Sequence, residues 1–213
     1  YLSALELSHC VSPNTGWQPQ HLVVSQGDTF IGLMPMYIKT HSWGEYVFDW
    51  AWAEAFERNQ LEYYPKIVTS IPFTPTTGQR IGFAPFLSEN EKQDVINQVG
   101  QFIRQQLVDR HWSSWHGLFN LQSQHNMWLN SSVISRLGCQ FHWHNHGYSD
   151  FNDFLGNMSS RKRKNILKER AQIQQAQLRF TFVEGDKASP EQWQGFVQCY
   201  QRTYLKRSGH QGY

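Results

Sequence analysis

A short aromatic segment, residues 37–56, holds more reactive side chains than a packing element requires. Five residues that can ionise or form directed hydrogen bonds lie among water-excluding rings: Lys39, His41, Ser42, Glu45 and Asp49. Because low-dielectric surroundings shift pKa values, Glu45 or Asp49 is a candidate general base with a raised pKa, and His41 is the alternative. Lys39 or Ser42 could donate a hydrogen bond to developing negative charge. The competing interpretation is a Trp-rich corner that closes a core.

A second candidate site is the basic segment 161–170, in which six of ten residues are Lys or Arg. It opens with Arg161, Lys162, Arg163 and Lys164. Ile166 and Ile173 lie seven positions apart and could anchor one side of a helix, leaving the cations on the remainder. Such a helix suits phosphate groups of RNA, coenzyme A or lipid. The alternative is a solvated basic face or an interdomain salt-bridge surface.

Three alternate histidines, His142, His144 and His146, form a third pattern. Alternate residues of a strand share one face, so the three imidazoles could meet a zinc or nickel ion. A surface strand with fortuitous metal affinity is the favoured interpretation, and no functional metal site is predicted.

The elements that must position these residues alternate between helix and strand. We expect helices at 4–10, 51–59, 89–109 and 125–137, the last capped by Gly138. Strands are expected at 20–25, 29–38, 64–71, 115–121 and 139–146, the first two as a hairpin. This order predicts an α/β (α+β) fold with a mixed sheet and a crossover helix.

A second unit is predicted from residue 148 onward. It comprises helices at 150–154 and 159–175, a strand at 178–184, and a helix opened by the capping box Ser189–Gln192. Since one strand cannot form a sheet alone, we predict a complete first domain at 1–147 and an incomplete second domain at 148–213.

The charge distribution and the cysteine content indicate which kind of partner and which cellular compartment to expect. Residues 1–158 hold 8 Lys/Arg against 13 Asp/Glu, whereas residues 159–213 hold 11 against 4. A basic C-terminal part indicates a phosphate-bearing or otherwise acidic partner. Cys10, Cys139 and Cys199 lack any CxxC spacing, which favours reduced thiols and a cytoplasmic protein. No apolar run approaches the ~18 residues of a membrane span.

Five sequence segments occur in a characteristic order: ALELS, TGWQPQHLVV, MPMYIKTHSWGEYVFDWAWAEAF, YYPKIVTSIPFTPTTGQR and YSDFNDFLGNMSSRKRKNILKER. In this order the chain resembles, from about Ala4 to its C terminus, a bacterial family of FemAB-like predicted N-acyltransferases. That family is described as peptidoglycan biosynthesis/recognition, and its members have GNAT-type folds. The resemblance implies a GNAT-like first domain and the opening of a second.

The resemblance also implies a reaction. An acyl or aminoacyl group would move from acyl-coenzyme A or aminoacyl-tRNA to an amine acceptor, such as a cell-wall precursor, without a tightly bound cofactor. The YYPK motif implies that Tyr63, Tyr64 and Lys66 line the same cleft as the aromatic segment. Tyr64 and Lys66, together with Trp50 of that segment, are predicted to contact the substrate. The alternatives are a noncatalytic module that recognises a peptidoglycan precursor or a protein partner, and a nucleic-acid-binding protein that uses the basic helix.

The loop at residues 79–84 resembles the Q/R-x-x-G-x-G/A pattern with which GNAT enzymes bind the pyrophosphate of acyl-coenzyme A. Gln79, Gly82 and Ala84 supply the three fixed positions, and Arg80, at a variable position, completes the predicted cofactor-binding set. Backbone N–H groups in such a loop, followed by a helix N-terminus, favour an anion. The alternative is an ordinary glycine-containing turn.

Overall fold

The computed structural model describes residues 1–131 and 133–209, which divide between Gly138 and Cys139 into two compact units. Unit 1 contains, in chain order, α1 (Leu2–Leu7), a 3-10 turn (Pro13–Thr15), β1 (Trp17–Pro19), β2 (Leu22–Gln26), β3 (Thr29–Met34), β4 (Tyr37–Lys39), α2 (Trp50–Arg58), β5 (Lys66–Thr69), β6 (Gly82–Phe83), α3 (Glu89–Asp109), β7 (Trp115–Gly117) and α4 (Gln122–Leu129). The assignment of both units to GNAT-like domains stays a prediction.

Pro35 divides the expected strand at 29–38 into two strands that belong to different sheets. Strand β3 pairs antiparallel with β2 and β6 in a three-stranded sheet, and β4 enters a four-stranded sheet of order β1-β4-β5-β7. Proline lacks the N–H that a central strand needs, which explains the break. Strand β5 runs antiparallel to β4 and parallel to β7, so the predicted mixed sheet is confirmed.

The four-stranded sheet has one apolar face and a second face, called the polar face below, on which charged side chains are buried beside aromatic rings. Ile67 and Trp115 are register partners and belong to the main core, together with residues of α3. Because side chains alternate along a strand, Lys66 lies on the opposite face. His116, which is in register with Val68, shares that second face. The polar face carries the candidate site.

Helix α3 has the bounds that its apolar periodicity predicts. Ser88 accepts a hydrogen bond from the Glu91 N–H, and the Glu91 carboxylate accepts one from the Ser88 N–H, which forms a capping box. The buried face of the helix contains Val95, Ile96, Val99, Gly100 and Ile103. This face covers the sheet and makes up much of the core of unit 1.

The predicted helix at 125–137, with Gly138 as its C-cap, is wrong in its bounds. Helix α4 begins at Gln122 and ends at Leu129. Ser131 is tied to α3 instead, because its hydroxyl donates to Asn97 Oδ1 at 2.6 Å and its carbonyl accepts from Arg104 at 3.0 Å. These two hydrogen bonds fasten Ser131 to α3 just beyond the end of α4.

Unit 2 contains α5 (Phe151–Gly156), α6 (Ser160–Gln175) and α7 (Pro190–Ser208). Its predicted helices are confirmed, but the strands expected at 139–146 and 178–184 are not formed within the described residues. A strand is defined by pairing with a neighbouring strand, and neither segment takes part in a sheet within the described residues. None of the helices in residues 1–131 and 133–209 is long and apolar enough to cross a bilayer.

Replacing Ile96 by Ala is expected to lower the free energy of unfolding by about 2–4 kcal/mol, because the side chain of Ile96 points from α3 into the core and is fully buried. Urea denaturation followed by tryptophan fluorescence measures the change. Gln98→Ala, on the exposed side of the same helix, is the matched control and should change stability little. Equal effects of both substitutions would contradict the packing described.

Candidate functional site

Strand register sets two lysines opposite each other on the polar face of the sheet. Lys39 of β4 pairs with Lys66 of β5, and both side chains are fully buried. Two buried cations side by side repel each other and lose hydration, so they require negative charge nearby.

The loop at residues 40–49 supplies that charge by folding over the polar face. Gly44 turns the loop with φ 81°, and a Cβ there would lie 2.7 Å from the ring of Phe73. A glycine is therefore required at this close approach. The Gly44 carbonyl accepts a hydrogen bond from the Phe73 N–H at 3.2 Å, which fixes the loop. Ser42, Glu45 and Asp49 are thereby buried above Lys66.

The Lys66 ammonium is the centre of the site. It donates to Glu45 Oε2 at 2.9 Å, to Asp49 Oδ2 at 2.6 Å and to Ser42 Oγ at 2.9 Å. Two tyrosines extend this arrangement: Tyr63 donates to Asp49 Oδ2 at 2.6 Å, and the Tyr64 hydroxyl lies 2.7 Å from Ser42 Oγ. We call these residues the Lys66 network: Ser42, Glu45, Asp49, Tyr63, Tyr64 and Lys66.

The two carboxylates of the Lys66 network have opposite pKa shifts. Burial raises the pKa of Glu45, although Lys66 opposes the shift. Burial alone would also raise the pKa of Asp49, but hydrogen bonds from Lys66 and Tyr63 outweigh it and lower that pKa to about 2. The expected raised pKa is therefore wrong for Asp49 and holds for Glu45. Only Glu45 retains the proton affinity that a base needs.

Lys39 lies beside the Lys66 network with a different environment. Its Nζ donates to the Trp43 carbonyl at 3.0 Å and sits 3.6 Å above the centroid of the Trp17 ring. Burial lowers the pKa of Lys39 to about 7, against the opposing attraction of Glu45. The ammonium is thus held by one carbonyl and one aromatic face within the core, rather than in a position to donate to a substrate.

His116 joins the site and was not predicted from the sequence. Its Nδ1 lies 3.9 Å from Asp49 Oδ2, and burial, together with Lys66, lowers its pKa to about 4. Ligand atoms of Glu45, Asp49 and His116 converge within 4.8 Å, a spacing that a metal could use. However, Lys66 Nζ already contacts both carboxylates, so an ammonium group occupies the place of a metal ion.

His41 lies outside the Lys66 network. Its Nε2 contacts the Thr15 carbonyl at 3.1 Å, and its Nδ1 accepts from the Trp43 N–H at 3.2 Å. Both ring nitrogens are therefore engaged in holding the loop, and the imidazole packs against Gly16. Burial and the nearby Lys39 lower its pKa. These contacts give His41 a structural role instead of the expected role of a base.

A surface cavity of about 310 Å³ adjoins the Lys66 network. Its lining comprises Trp50, Ala53, Glu54, Glu57, Leu61, Tyr63 and Tyr64. Tyr63 and Tyr64 belong to both structures, so they connect the cavity to the buried charges. Trp50 lines the cavity, where a substrate could contact it. Lys66 is not a lining residue and is connected to the cavity by hydrogen bonds through Ser42 and the two tyrosines.

The loop at 79–84 does not offer the anion site that its sequence pattern predicts. The N–H groups of Arg80 and Ile81 donate to Gln124 Oε1, and the Ala84 N–H donates to the Ile31 carbonyl. Gly82 belongs to β6, and the buried Arg80 guanidinium donates to the carbonyls of Leu118, Gln79 and Thr76. These donors hold the protein together and are not directed at a pyrophosphate.

The basic helix presents most of its cations to solvent. Arg161, Lys162 and Lys164 are exposed on α6. Arg163 differs, because its guanidinium donates to the carbonyls of Leu155, Gly156 and Met158 and thereby caps α5. The predicted phosphate-binding set thus contains one structural arginine.

The histidines at 142–146 do not form a metal site in the described residues. The rings of His142 and His144 lie 6.4 Å apart and stacked, without the convergence that a tetrahedral site requires. The strand that would have placed the three imidazoles on one face is not formed.

Comparison with known proteins identifies the family. The chain matches the FemAB_like family, described as peptidoglycan biosynthesis/recognition, over residues 1–213, and it belongs to that family. A search of curated proteins and a search of solved structures find no match. The GNAT-type arrangement therefore stays a prediction from the resemblance.

The lowered pKa of Lys39 predicts that unit 1 gains stability as the pH rises from about 7 to about 9.5. Lys39 titrates near 7 in the folded protein and near 10.5 when unfolded, so the unfolded chain binds more protons in this window. Raising the pH through this window therefore increases the free energy of unfolding, by up to a few kcal/mol in total. Urea denaturation at several pH values measures the slope.

Lys39→Met is the matched variant, because it keeps the length of the side chain without its charge. We expect the rise in stability with pH to disappear in Lys39→Met. A wild-type slope that persists in this variant would mean that another group titrates.

Proposed function

We propose that this protein is an N-acyltransferase that moves an acyl or aminoacyl group to an amine acceptor. The observation that carries the proposal is the Lys66 network, a set of buried charges that adjoins a solvent-facing cavity through two tyrosines. Structural ion pairs do not require such a connection. The family description, peptidoglycan biosynthesis/recognition, supports a cell-wall precursor as the acceptor.

The Lys66 network provides a route for the proton that an attacking amine must lose. An amine in the cavity would give a proton to the Tyr64 hydroxyl, which would pass its own proton to Ser42 Oγ. Lys66 donates to both Ser42 and Glu45, so it would first release a proton to Glu45 and then, as a neutral amine, take the proton of Ser42. Glu45 is the suitable final acceptor because burial raises its pKa.

The transfer itself forms one bond and breaks another. The amine nitrogen attacks the carbonyl carbon of the donor, a C–N bond forms, and the ester or thioester bond of the donor breaks. The leaving oxygen or sulfur takes up the second proton that the nitrogen loses as the amide forms, and Glu45 later releases the first proton to solvent. Asp49, held ionised by the hydrogen bonds from Lys66 and Tyr63, keeps the Lys66 side chain in place.

Aminoacyl-tRNA is the donor we favour over acyl-coenzyme A. The hydrogen bonds of the loop at 79–84 are satisfied internally, whereas α6 exposes cations suited to phosphates. Arg163 and Arg170 contact α5, and Arg161, Lys164 and Lys168 lie on the opposite face by helical periodicity. The exposed thiols of all three cysteines fit a reducing compartment, and we place the reaction in the cytoplasm.

A noncatalytic recognition module is the second candidate, and the burial of the charges favours it. Lys66 and Asp49 have no exposed surface, as expected for charges that only hold a loop in place. In that case the cavity would bind a cell-wall precursor without turnover.

Glu45→Gln is expected to lower kcat at least about 100-fold, because the final proton acceptor is lost. Tyr64→Phe should lower it about tenfold by removing the hydroxyl that connects the cavity to Ser42. Mass spectrometry of products formed from aminoacyl-tRNA or acyl-coenzyme A and an amine acceptor measures the rates. The rate should rise with pH through the raised pKa of Glu45 in the wild type.

Tyr148→Phe in unit 2 is the matched control and should leave kcat unchanged. Thermal melts establish that each variant is folded. Turnover that survives Glu45→Gln in a folded sample would refute the proton route. Precursor binding without turnover under any donor would support the recognition module instead.

Neutralising Arg161 and Lys164 together is expected to weaken RNA binding and to reduce the slope of log K against log salt by about 1.4–1.8. Fluorescence anisotropy with labelled tRNA at several salt concentrations measures both. Arg202→Gln, an exposed cation on α7, is the control and should have a smaller effect. An unchanged salt slope in the double variant would exclude α6 as the RNA contact.

A further inference from the structure

The cavity beside the Lys66 network is built from one face of α2. Trp50, Ala53, Glu54 and Glu57 recur at the spacing of a single helical face. Leu61 and the two tyrosines of the network complete the lining. This face of α2 therefore forms one wall of the cavity.

The lining combines aromatic rings with carboxylates. Trp50 is 39% exposed, and Tyr63 and Tyr64 add two further rings. Glu54 and Glu57 are exposed acids at the same cavity, and none of the described lining residues carries a positive charge. Aromatic faces and carboxylates both attract organic cations.

We propose that this cavity binds an alkylammonium group, which on the function proposed above is the acceptor amine. The proposal rests on that function only for the fate of the amine, since cation binding follows from the lining itself. The volume of about 310 Å³ lies at the lower end for ligand sites, so it suits one alkylammonium arm of a larger molecule.

Charge selects this ligand over an apolar one. An alkylammonium is protonated at neutral pH and gains from both carboxylates, whereas a neutral alcohol of equal length gains only from the rings. Arg58 competes for part of this charge, since its guanidinium lies 3.5 Å from Glu54 Oε2 in an exposed pair. Glu57 is therefore expected to contribute more than Glu54.

The cavity lies next to Tyr64, so an amine bound there would lie beside the start of the proposed proton route. Tyr64 lines the cavity, and its hydroxyl lies 2.7 Å from Ser42 Oγ, the entrance to the Lys66 network. An ammonium group held between Trp50 and the acids would thus lie beside the group that accepts its proton. Glu54 and Glu57 would bind the protonated amine, and the Lys66 network would then remove its proton so that the nitrogen can attack the acyl group.

Titration of the full chain with n-butylammonium tests the proposal, and n-butanol serves as the uncharged analogue. The indole N–H signal of Trp50, assigned with Trp50→Phe, reports occupancy by NMR. We expect saturable shifts with n-butylammonium, and none or much weaker shifts with n-butanol. Glu54→Gln with Glu57→Gln should weaken binding about fivefold or more.

Glu62→Gln with Asp94→Asn is the control that matches the change in net charge, because both acids are exposed and outside the lining. It should alter the affinity less than about twofold. Equal affinity for n-butanol, equal weakening by the control, or the absence of saturable shifts would each overturn the proposal.

The two proposals fail in distinguishable ways. Selective n-butylammonium binding without acyl transfer from any donor would remove the proposed reaction and retain the cation site. Acyl transfer whose KM for the acceptor is unchanged by Glu54→Gln with Glu57→Gln would remove the cation site and retain the reaction.

Discussion

One ammonium group, Lys66 Nζ, holds the loop at 40–49 against the sheet. Its three hydrogen bonds go to three positions of that loop: Ser42, Glu45 and Asp49. Desolvating an ion costs several kcal/mol, and excellent geometry with neighbouring hydrogen bonds is needed to offset that cost. Tyr63 and Tyr64 supply part of this compensation, because Tyr63 donates to Asp49 and Tyr64 contacts Ser42, and both are acceptors of Lys66.

This constraint explains an oddity at the start of α2. Asp49 is the N-cap residue of the helix, a position at which aspartate normally accepts a backbone hydrogen bond. Its carboxylate makes no such cap and is directed to Lys66 and Tyr63. The helix gives up a local stabilisation so that the carboxylate can neutralise a buried cation. The position of α2, and with it the cavity wall formed by Trp50, then depends on the same ion pair.

Local sequence patterns predicted the elements that local forces determine. Helix α3 was predicted with both ends because its apolar periodicity lies within one segment of the sequence. The strands at 139–146 and 178–184 were wrong because a strand depends on a partner that no local pattern specifies. Pro35 was readable as a strand break, and attention to its missing N–H would have separated β3 from β4.

In the candidate site too, the residues that share one segment were predictable from the sequence, whereas a residue brought in by the pairing of distant strands was not. The residues of the loop at 40–49 were recognisable by type and spacing, and Lys66 through the YYPK resemblance. His116 was missed because its position depends on the parallel pairing of β5 with β7. The opposite pKa shifts of Glu45 and Asp49 depend on which oxygens Lys66 and Tyr63 contact, which spacing alone does not determine.

Burial separates two tasks that one set of charges could not perform together. Carboxylates that bind an incoming cation must face solvent, as Glu54 and Glu57 do. A carboxylate that takes a proton from a weak acid needs a raised pKa, which requires burial, as at Glu45. A second ammonium in direct contact with Glu45, in addition to that of Lys66, would oppose the raised pKa further and weaken the base. Tyr64 and Ser42 keep the two apart and still leave a path for a proton between them.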